Sequence, residues 1–339
     1  MHRSTTIWIA TLAAALAAAA PATGQTPKTN IYRYVLDVDA PEPAGLVALD
    51  LAGAHVLRGS APKPISATIV HQSVPNAGWT TGAAVDIVPY FFLGGGARRL
   101  PDYRANSVAG RLTRVITKTA LSVAAGSDPA AAGSLLGALG IRTTFHDPHD
   151  PVLNSRLPEQ VDSALRAHGI DPGDASVEDV ARLGVDLGPL FADATRRMRA
   201  RGDIQVSAGW GLAGRLRGAA LDGDSTERFR HTLWLTGQHS LDGRLDLLVT
   251  WQVRSLGRDD AAIRLGAGLQ RKSTPADYRI ELYYDRATRR LHPGASVEVR
   301  ALPGVSAVAS LVSDAPIGAR GRSYARAGLM LRYYATSRP

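Results

Sequence analysis

Arginine recurs at alternate positions through much of this chain, often two residues from a carboxylate, as in Arg244-Leu245-Asp246, Arg279-Ile280-Glu281 and Glu298-Val299-Arg300. A single guanidinium on a strand specifies little. A set of them turned into one enclosed space creates a positive potential that draws anions, and interleaved carboxylates convert the same set into a self-neutralising network. The residues placed for this by their spacing are Arg114, Lys118, Arg142, Arg215, Arg230, Arg244, Arg254, Arg264, Arg279, Arg300, Arg326 and Arg332, with Asp86, Asp246, Glu281, Asp285 and Glu298 as the acidic members. Two outcomes are expected of such a set. Either a basic, water-filled passage takes a small anionic solute, or ion pairs fill the interior with the helical insert at 147–201 as a plug.

Other chemistry is sparser. His71 and Ser73 are two residues apart and so share a strand face, but a serine nucleophile needs an adjacent base and a group that orients it, and only the turn residue Asn76 lies near. His146-Asp147-Pro148-His149-Asp150 contains metal-ligand residue types, yet no second ligand cluster follows it, and it reads as a polar turn at a strand end. His231 and His239 fall near opposite ends of one strand, too far apart to share an ion, and read as interfacial residues. The chain has 0 Cys, which removes disulfides, thiolate metal sites and a Cys-linked lipid anchor. No metal or cofactor is expected. The formal charge is +9, but the basic residues are spread singly, so nucleic acid is not an expected partner.

Elements that could position the charged set are strands. From about Lys63 onward short runs alternate with period two between Gly, Pro, Asp and Ser punctuation. In Arg244 to Ser255, Leu245, Leu247, Val249, Trp251 and Val253 share one face. Arg244, Asp246, Thr250, Gln252 and Arg254 share the other, and Leu248 breaks it. Ile204 to Leu216 divides likewise, as does Tyr278 to Tyr284. The pattern predicts twelve strands at 65–73, 79–93, 107–125, 134–146, 203–216, 228–240, 243–255, 261–272, 276–286, 292–301, 303–314 and 321–334. Ser240-Leu241-Asp242-Gly243 and Leu302-Pro303-Gly304 are tight turns, which predicts antiparallel neighbours in a meander.

The flanks differ. Met1-His2-Arg3, the apolar run Ile7 to Ala20 and the small residues Ala22-Thr23-Gly24 have the form of a secretory signal peptide over residues 1–24. Residues 25–64 carry Pro27, Pro41, Pro43, Pro62 and Pro64 and predict an extended periplasmic leader. Within the barrel region, 65–334, residues 147–201 shift to helical period and predict an insert: Pro158 opens a run with Val161, Ala164 and Leu165, and Gly169 closes it.

Apolar residues on one strand face and charged ones on the other suit a transmembrane barrel, polar inside and apolar outside, with Trp79, Phe91, Trp210, Trp251, Tyr278 and Tyr333 as an interfacial girdle. The last strand sharpens this. Arg326, Gly328, Leu331 and Tyr333 stand in a polar-x-Gly-x-x-apolar-x-apolar frame that resembles the C-terminal signal read by the bacterial barrel-assembly machinery, followed here by Tyr334 to Pro339. More broadly, "PEPAGLVALDLAGAHVLRGSAPKP", "GWTTGAAVDIVPYFF", "YRIELYY" and "GASVEVR" resemble a group of bacterial outer-membrane β-barrel proteins, loosely, over most of residues 41–334. The resemblance implies an all-β, up-and-down transmembrane barrel in the cell outer membrane, and supplies no catalytic residues. The His71 and Ser73 spacing resembles that of the outer-membrane phospholipase, without the rest of its motif. A porin-like channel or ligand-binding barrel is therefore expected, with a structural or partner-anchoring role and a lipid hydrolase as alternatives. Outer-membrane lipid, the assembly machinery and a small anionic solute are the expected partners.

Overall fold

The structure is a computed structural model, and it describes residues 41–60, 62–63, 65–74, 78–91, 103–128, 134–150, 153, 157–175, 197–198, 200–217, 220–222, 229–242, 244–255, 262–272, 276–287, 289–302, 305–313 and 325–334. The signal-peptide reading and most of the later insert lie outside the described residues.

Long antiparallel strands make up most of it: β1 (Ile65–Val74), β2 (Gly78–Ile87), β3 (Thr119–Ser127), β4 (Leu135–His146), β5 (Ile204–Arg217), the short β6 (Ala220–Asp222), β7 (Arg230–Ser240), β8 (Leu245–Ser255), β9 (Ala262–Arg271), β10 (Ala276–Asp285), β11 (Arg290–Leu302), β12 (Val305–Ser313) and β13 (Ala325–Tyr334). All but β6 are strands that the periodicity predicted. Each pairs with its sequence neighbours, β1 pairs with β13 and β4 with β5, so the sheet closes on itself as a barrel of twelve strands. The short β6 extends only β5. Closure gives every barrel strand a partner on both sides, the condition for a sheet to stand in hydrocarbon.

Alternation then sets the two surfaces. On β10, Tyr278, Ile280 and Leu282 are exposed while Asp277, Arg279, Glu281, Tyr283 and Asp285 are buried. On β13, Leu329, Leu331 and Tyr333 point outward, and Met330 and Arg332 inward. Outward aromatics include Trp79, Trp210, Trp251, Tyr278 and Tyr333. Trp210 and Trp251 sit in the middle of β5 and β8, level with Ile141 and Leu265, instead of at strand ends as a girdle requires.

Three α-helices are described, α1 (Ala44–Leu49), α2 (Val108–Thr117) and α3 (Leu157–Ala167), besides a single 3-10 turn at Pro89–Phe91. The third is the expected first helix of the insert, with Val161 and Leu165 buried and Gly169 at φ +74. The second corrects the strand expected over 107–125. Its first part is helical because Ser107 caps Gly110 N–H (3.1 Å) and Val108, Leu112 and Ile116 recur every fourth residue; only Thr119 onward is strand. Both α2 and the insert leave the barrel at the end where β1 begins and β13 finishes, called here the terminal end; the opposite one is the far end. Long connections thus lie where outer-membrane barrels usually have short turns.

The leader gives the main correction. Residues 41–60 are not a free periplasmic segment but a hairpin inside the barrel, buried along nearly its whole length. Its first limb is α1. The chain reverses near Asp50 (φ +64) and Gly53 (φ +70), both left-handed, a conformation that Gly and Asp tolerate, and returns as an irregular limb through Ser60 to β1. Leu46, Leu49 and Leu51 pack against Val70, Ala84, Ala124, Ala138, Ala213, Val308 and Met330 of the wall. Val47 and Leu57 pack with Trp234. Each such side chain, fully buried, contributes on the order of 1.5–3 kcal/mol.

Candidate functional site in the lumen

The wall beneath α1 is made of small residues, and this is why a helix fits. A Cβ added at Gly140 would lie 2.6 Å from the Ala44 Cβ, one at Gly211 2.6 Å from the Ala48 Cβ, and those at Gly82 and Gly126 2.6 and 2.8 Å from Leu51 Cδ1. The bare backbone of β2 to β5 thus forms a groove for the hairpin. On the other side, long polar residues reach in from β7 to β13.

An irregular limb in a closed interior must have its backbone groups satisfied. Wall side chains do this. His55 N–H (3.1 Å) and Val56 N–H (3.2 Å) donate to Glu281, Leu57 N–H to Thr250 Oγ1 (2.8 Å) and Gly59 N–H to Gln238 Oε1 (3.0 Å). Arg142 donates to the carbonyls of Arg58 and of Ser60 (3.1 Å) and to Ser207 Oγ (3.3 Å). Gln238 in turn donates to Asp246 (2.7 Å), which Lys272 pairs at 2.9 Å.

Two charge clusters pin the hairpin. Deep inside, Glu42 accepts from Arg279 (3.1 Å) and lies 3.7 Å from Arg58 and 3.8 Å from Arg332. Glu298 holds Arg58 and Arg332 (3.4 Å) together and accepts from Ser306 Oγ (2.6 Å). The Glu42 side chain has 0% exposure. Near the far end, the tip residue Asp50 receives Arg254 from β8 (2.7 Å), Arg264 from β9 (3.3 Å) and Arg326 from β13 (3.5 Å). Arg264 also pairs with Asp285 (3.3 Å) and lies over the Tyr283 ring. Here the Asp50 side chain keeps 22% exposure and Arg326 24%, so water reaches this cluster and not the first.

Most expected lumen residues lie on the inward face. Asp86, Arg142, Asp246, Arg254, Arg279, Glu281, Asp285, Glu298 and Arg332 are buried there, with Arg264 and Arg326 half-buried. Asp86 stands beside Ser122 in the β2–β3 register. Arg215, Arg230 and Arg300 sit towards the barrel ends, Arg215 paired with Asp128 and Arg300 with Asp277. Three expectations are corrected. Arg114 lies on α2 and donates to the carbonyls of Tyr103 (2.7 Å) and Ala105 (2.9 Å). Lys118 ends that helix and pairs with Asp147 and Asp150, both at 2.8 Å. Arg244 is exposed at the β7–β8 turn. In the first two the helix before β3 displaced the expected strand.

The polar turn His146 to Asp150 is thus an anchor for Lys118 and for Tyr103, whose hydroxyl donates to Asp150. No group of three metal-ligand side chains gathers among the described residues. His71 and Ser73 share the outward face of β1, but each is engaged elsewhere. The His71 ring stacks on Trp79 and bonds Thr81 (2.8 Å), while Ser73 Oγ accepts from Ala327 N–H (2.9 Å). A nucleophile and its base are not assembled there.

Sequence reasoning missed Glu42, Asp50, His55 and Arg58. Their signal was present: single charged residues eight apart at Glu42, Asp50 and Arg58, in an apolar, Ala- and Leu-rich stretch with helical spacing over Ala44 to Leu49. The prolines around it drew the reading towards an extended tail.

No family model and no curated protein matches the chain. Among solved structures it is similar to the KdgM porin in complex with disordered oligogalacturonate (8% identity, 80% of this chain and 99% of that one, TM-score 0.43). It is also similar to the Acinetobacter baumannii outer membrane protein Omp33 (10%, 82% and 100%, 0.36) and to the COG4313 outer membrane channel from Pseudomonas putida F1 (7%, 80% and 95%, 0.39). A closed antiparallel barrel with an apolar outer surface and a charged interior is an outer-membrane barrel, and the cell outer membrane is where this chain resides.

Proposed function

We propose that the chain is an outer-membrane channel for small anionic solutes that carries its own plug, the hairpin 41–60. The observation that carries this is the seat of Asp50: three guanidiniums from three wall strands converge on one carboxylate at the tip of a hairpin that is no part of the wall and that packing and ion pairs hold in the lumen. Arginines placed this way bind any carboxylate of suitable size, so a solute entering from the far end competes with Asp50 for Arg254, Arg264 and Arg326. Both chain ends of the barrel are then periplasmic and the far end faces outward. The assembly machinery reads Arg326, Gly328, Leu331 and Tyr333 of β13, and membrane lipid surrounds the outer face.

Planar-bilayer recordings test this with three proteins: wild type, Asp50→Asn, and a chain lacking residues 41–60. Wild type is expected to be closed or briefly open. Asp50→Asn raises open probability and the deletion conducts steadily, with anion preference in the reversal potential. Heat-modifiable gel mobility verifies that each barrel is folded. Folded barrels that stay silent in all three cases would falsify the channel. A partner-anchoring role, which the filled lumen and the two long terminal-end connections favour, then becomes the working reading; its mark is a protein that co-purifies with wild type and is lost when 147–201 is removed.

A further inference from the structure

Helix α2 is amphipathic the wrong way round for a helix packed on a water-soluble body. Gly110, Thr113 and Thr117 face inward, while Val108 (83% exposed), Leu112 (56%) and Ile116 (39%) face out. At about 100° per residue these three, with Ala109 and Val115, form one continuous apolar arc. Its place on the barrel explains what covers that arc. The Thr119 hydroxyl donates to Val115 O at 2.7 Å, and the Thr143 hydroxyl lies 2.8 Å from it and 3.4 Å from the same carbonyl. Both threonines are on the outward faces of β3 and β4, in step with Leu121, Val123, Leu139 and Ile141, all exposed. The helix therefore stands on the outer rim, and its apolar arc continues the lipid-facing belt.

We infer that α2 is an interfacial helix, lying in the headgroup boundary of the leaflet at the terminal end, with Val108, Leu112 and Ile116 among the upper acyl carbons and exposed Arg111 at the level of the lipid phosphates. Its posture is fixed from behind: Ser107 caps its start, Arg114 grips the carbonyls of Tyr103 and Ala105, and Lys118 at its end is held by Asp147 and Asp150. A rigidly held helix with a bare apolar face, joined without a break to a membrane-facing surface, fits a lipid leaflet in preference to a protein partner. This rests on the membrane reading of the barrel.

The chain has 0 Cys, so single cysteines report unambiguously. Val108→Cys, Leu112→Cys, Leu121→Cys on the belt and Arg166→Cys on α3 are each spin-labelled in the full-length protein, reconstituted in vesicles of phosphatidylethanolamine and phosphatidylglycerol. Collision with oxygen is compared with collision with a water-soluble nickel chelate. Labels at 108 and 112 are expected to favour oxygen, as the label at 121 does, while the label at 166 favours nickel. If 121 behaves as lipid-exposed but 108 and 112 match 166, the helix proposal fails alone; if 121 also matches 166, the membrane reading fails with it. Spin–spin broadening at 108 or 112, or immobilisation with access to neither reagent, would show a second copy or another protein on the face and overturn the lipid assignment.

Discussion

Glu298 shows how much one buried carboxylate does here. It joins a guanidinium of the hairpin, Arg58, to one of the wall, Arg332, and takes a third bond from Ser306. Glu298→Gln leaves two buried cations short of their counter-charge, so a loss of about 3–5 kcal/mol is expected, read as a lower urea midpoint in detergent micelles. Arg300→Gln is the contrast: its pair with Asp277 is 40% exposed on the Arg side, and screening limits the loss to about 1 kcal/mol or less. At the terminal rim, burial pushes the Asp147 carboxyl up, but the Lys118 ammonium beside it outweighs this and holds it below the ordinary range. Burial pushes Lys118 down, and Asp147 and Asp150 more than reverse it. A depressed acid contributes stability that is whole above its unfolded pKa of about 3.9 and fades as pH falls through its lower folded value. The raised amine contributes stability that is whole below about 10.4 and fades only above that. Protection factors of the amides of Asp147, His149 and Asp150, with the intrinsic base-catalysed rate divided out, are therefore expected to be flat from pH 5 to 9 on this account, about the span between those limits; loss of protection already at the acid edge of that window would refute the pairing.

At the level of elements, the hairpin and the glycine-lined wall are one device. Neither half makes sense alone: bare glycines across β2, β3, β4 and β5 would weaken a barrel, and an apolar helix would have nowhere to pack. Gly140→Leu and Gly211→Leu put a side chain where Ala44 and Ala48 already stand. Overpacking of this kind costs about 1–3 kcal/mol, and here the hairpin can yield where the closed sheet cannot. Both variants are expected to keep heat-modifiable barrels while proteases cut within 41–60 more readily than in wild type. Gly237→Ala, whose new Cβ would meet only Ile204 at 3.9 Å, is expected to change nothing. A hairpin equally resistant in the leucine variants would mean that it does not depend on that groove.

For the whole molecule, the barrel follows from local pattern. Strand positions, antiparallel order and the inward or outward sense of Arg279, Glu281, Leu329 and Arg332 are all set by period-two alternation and short turns, which act between residues close in sequence. Those features were legible in the chain. The strand expected before Thr119 was not, because Arg114 and Lys118, four apart, share a face under either period until the Ser107 cap and the rim threonines decide for helix. The sequence also held every charge of the candidate site, yet not its meaning: Glu42 and Asp50 are ordinary carboxylates until Arg279 and Arg264, more than two hundred residues away, close around them. Whether arginines line an open passage or grip a plug depends on which segment enters the lumen, and that is fixed by shape, through glycines spaced over four strands and a hairpin outside them. Periodicity determined the barrel and its sidedness. Only the tertiary structure decided what fills it, because long-range packing and charge pairing leave no short-range pattern to read.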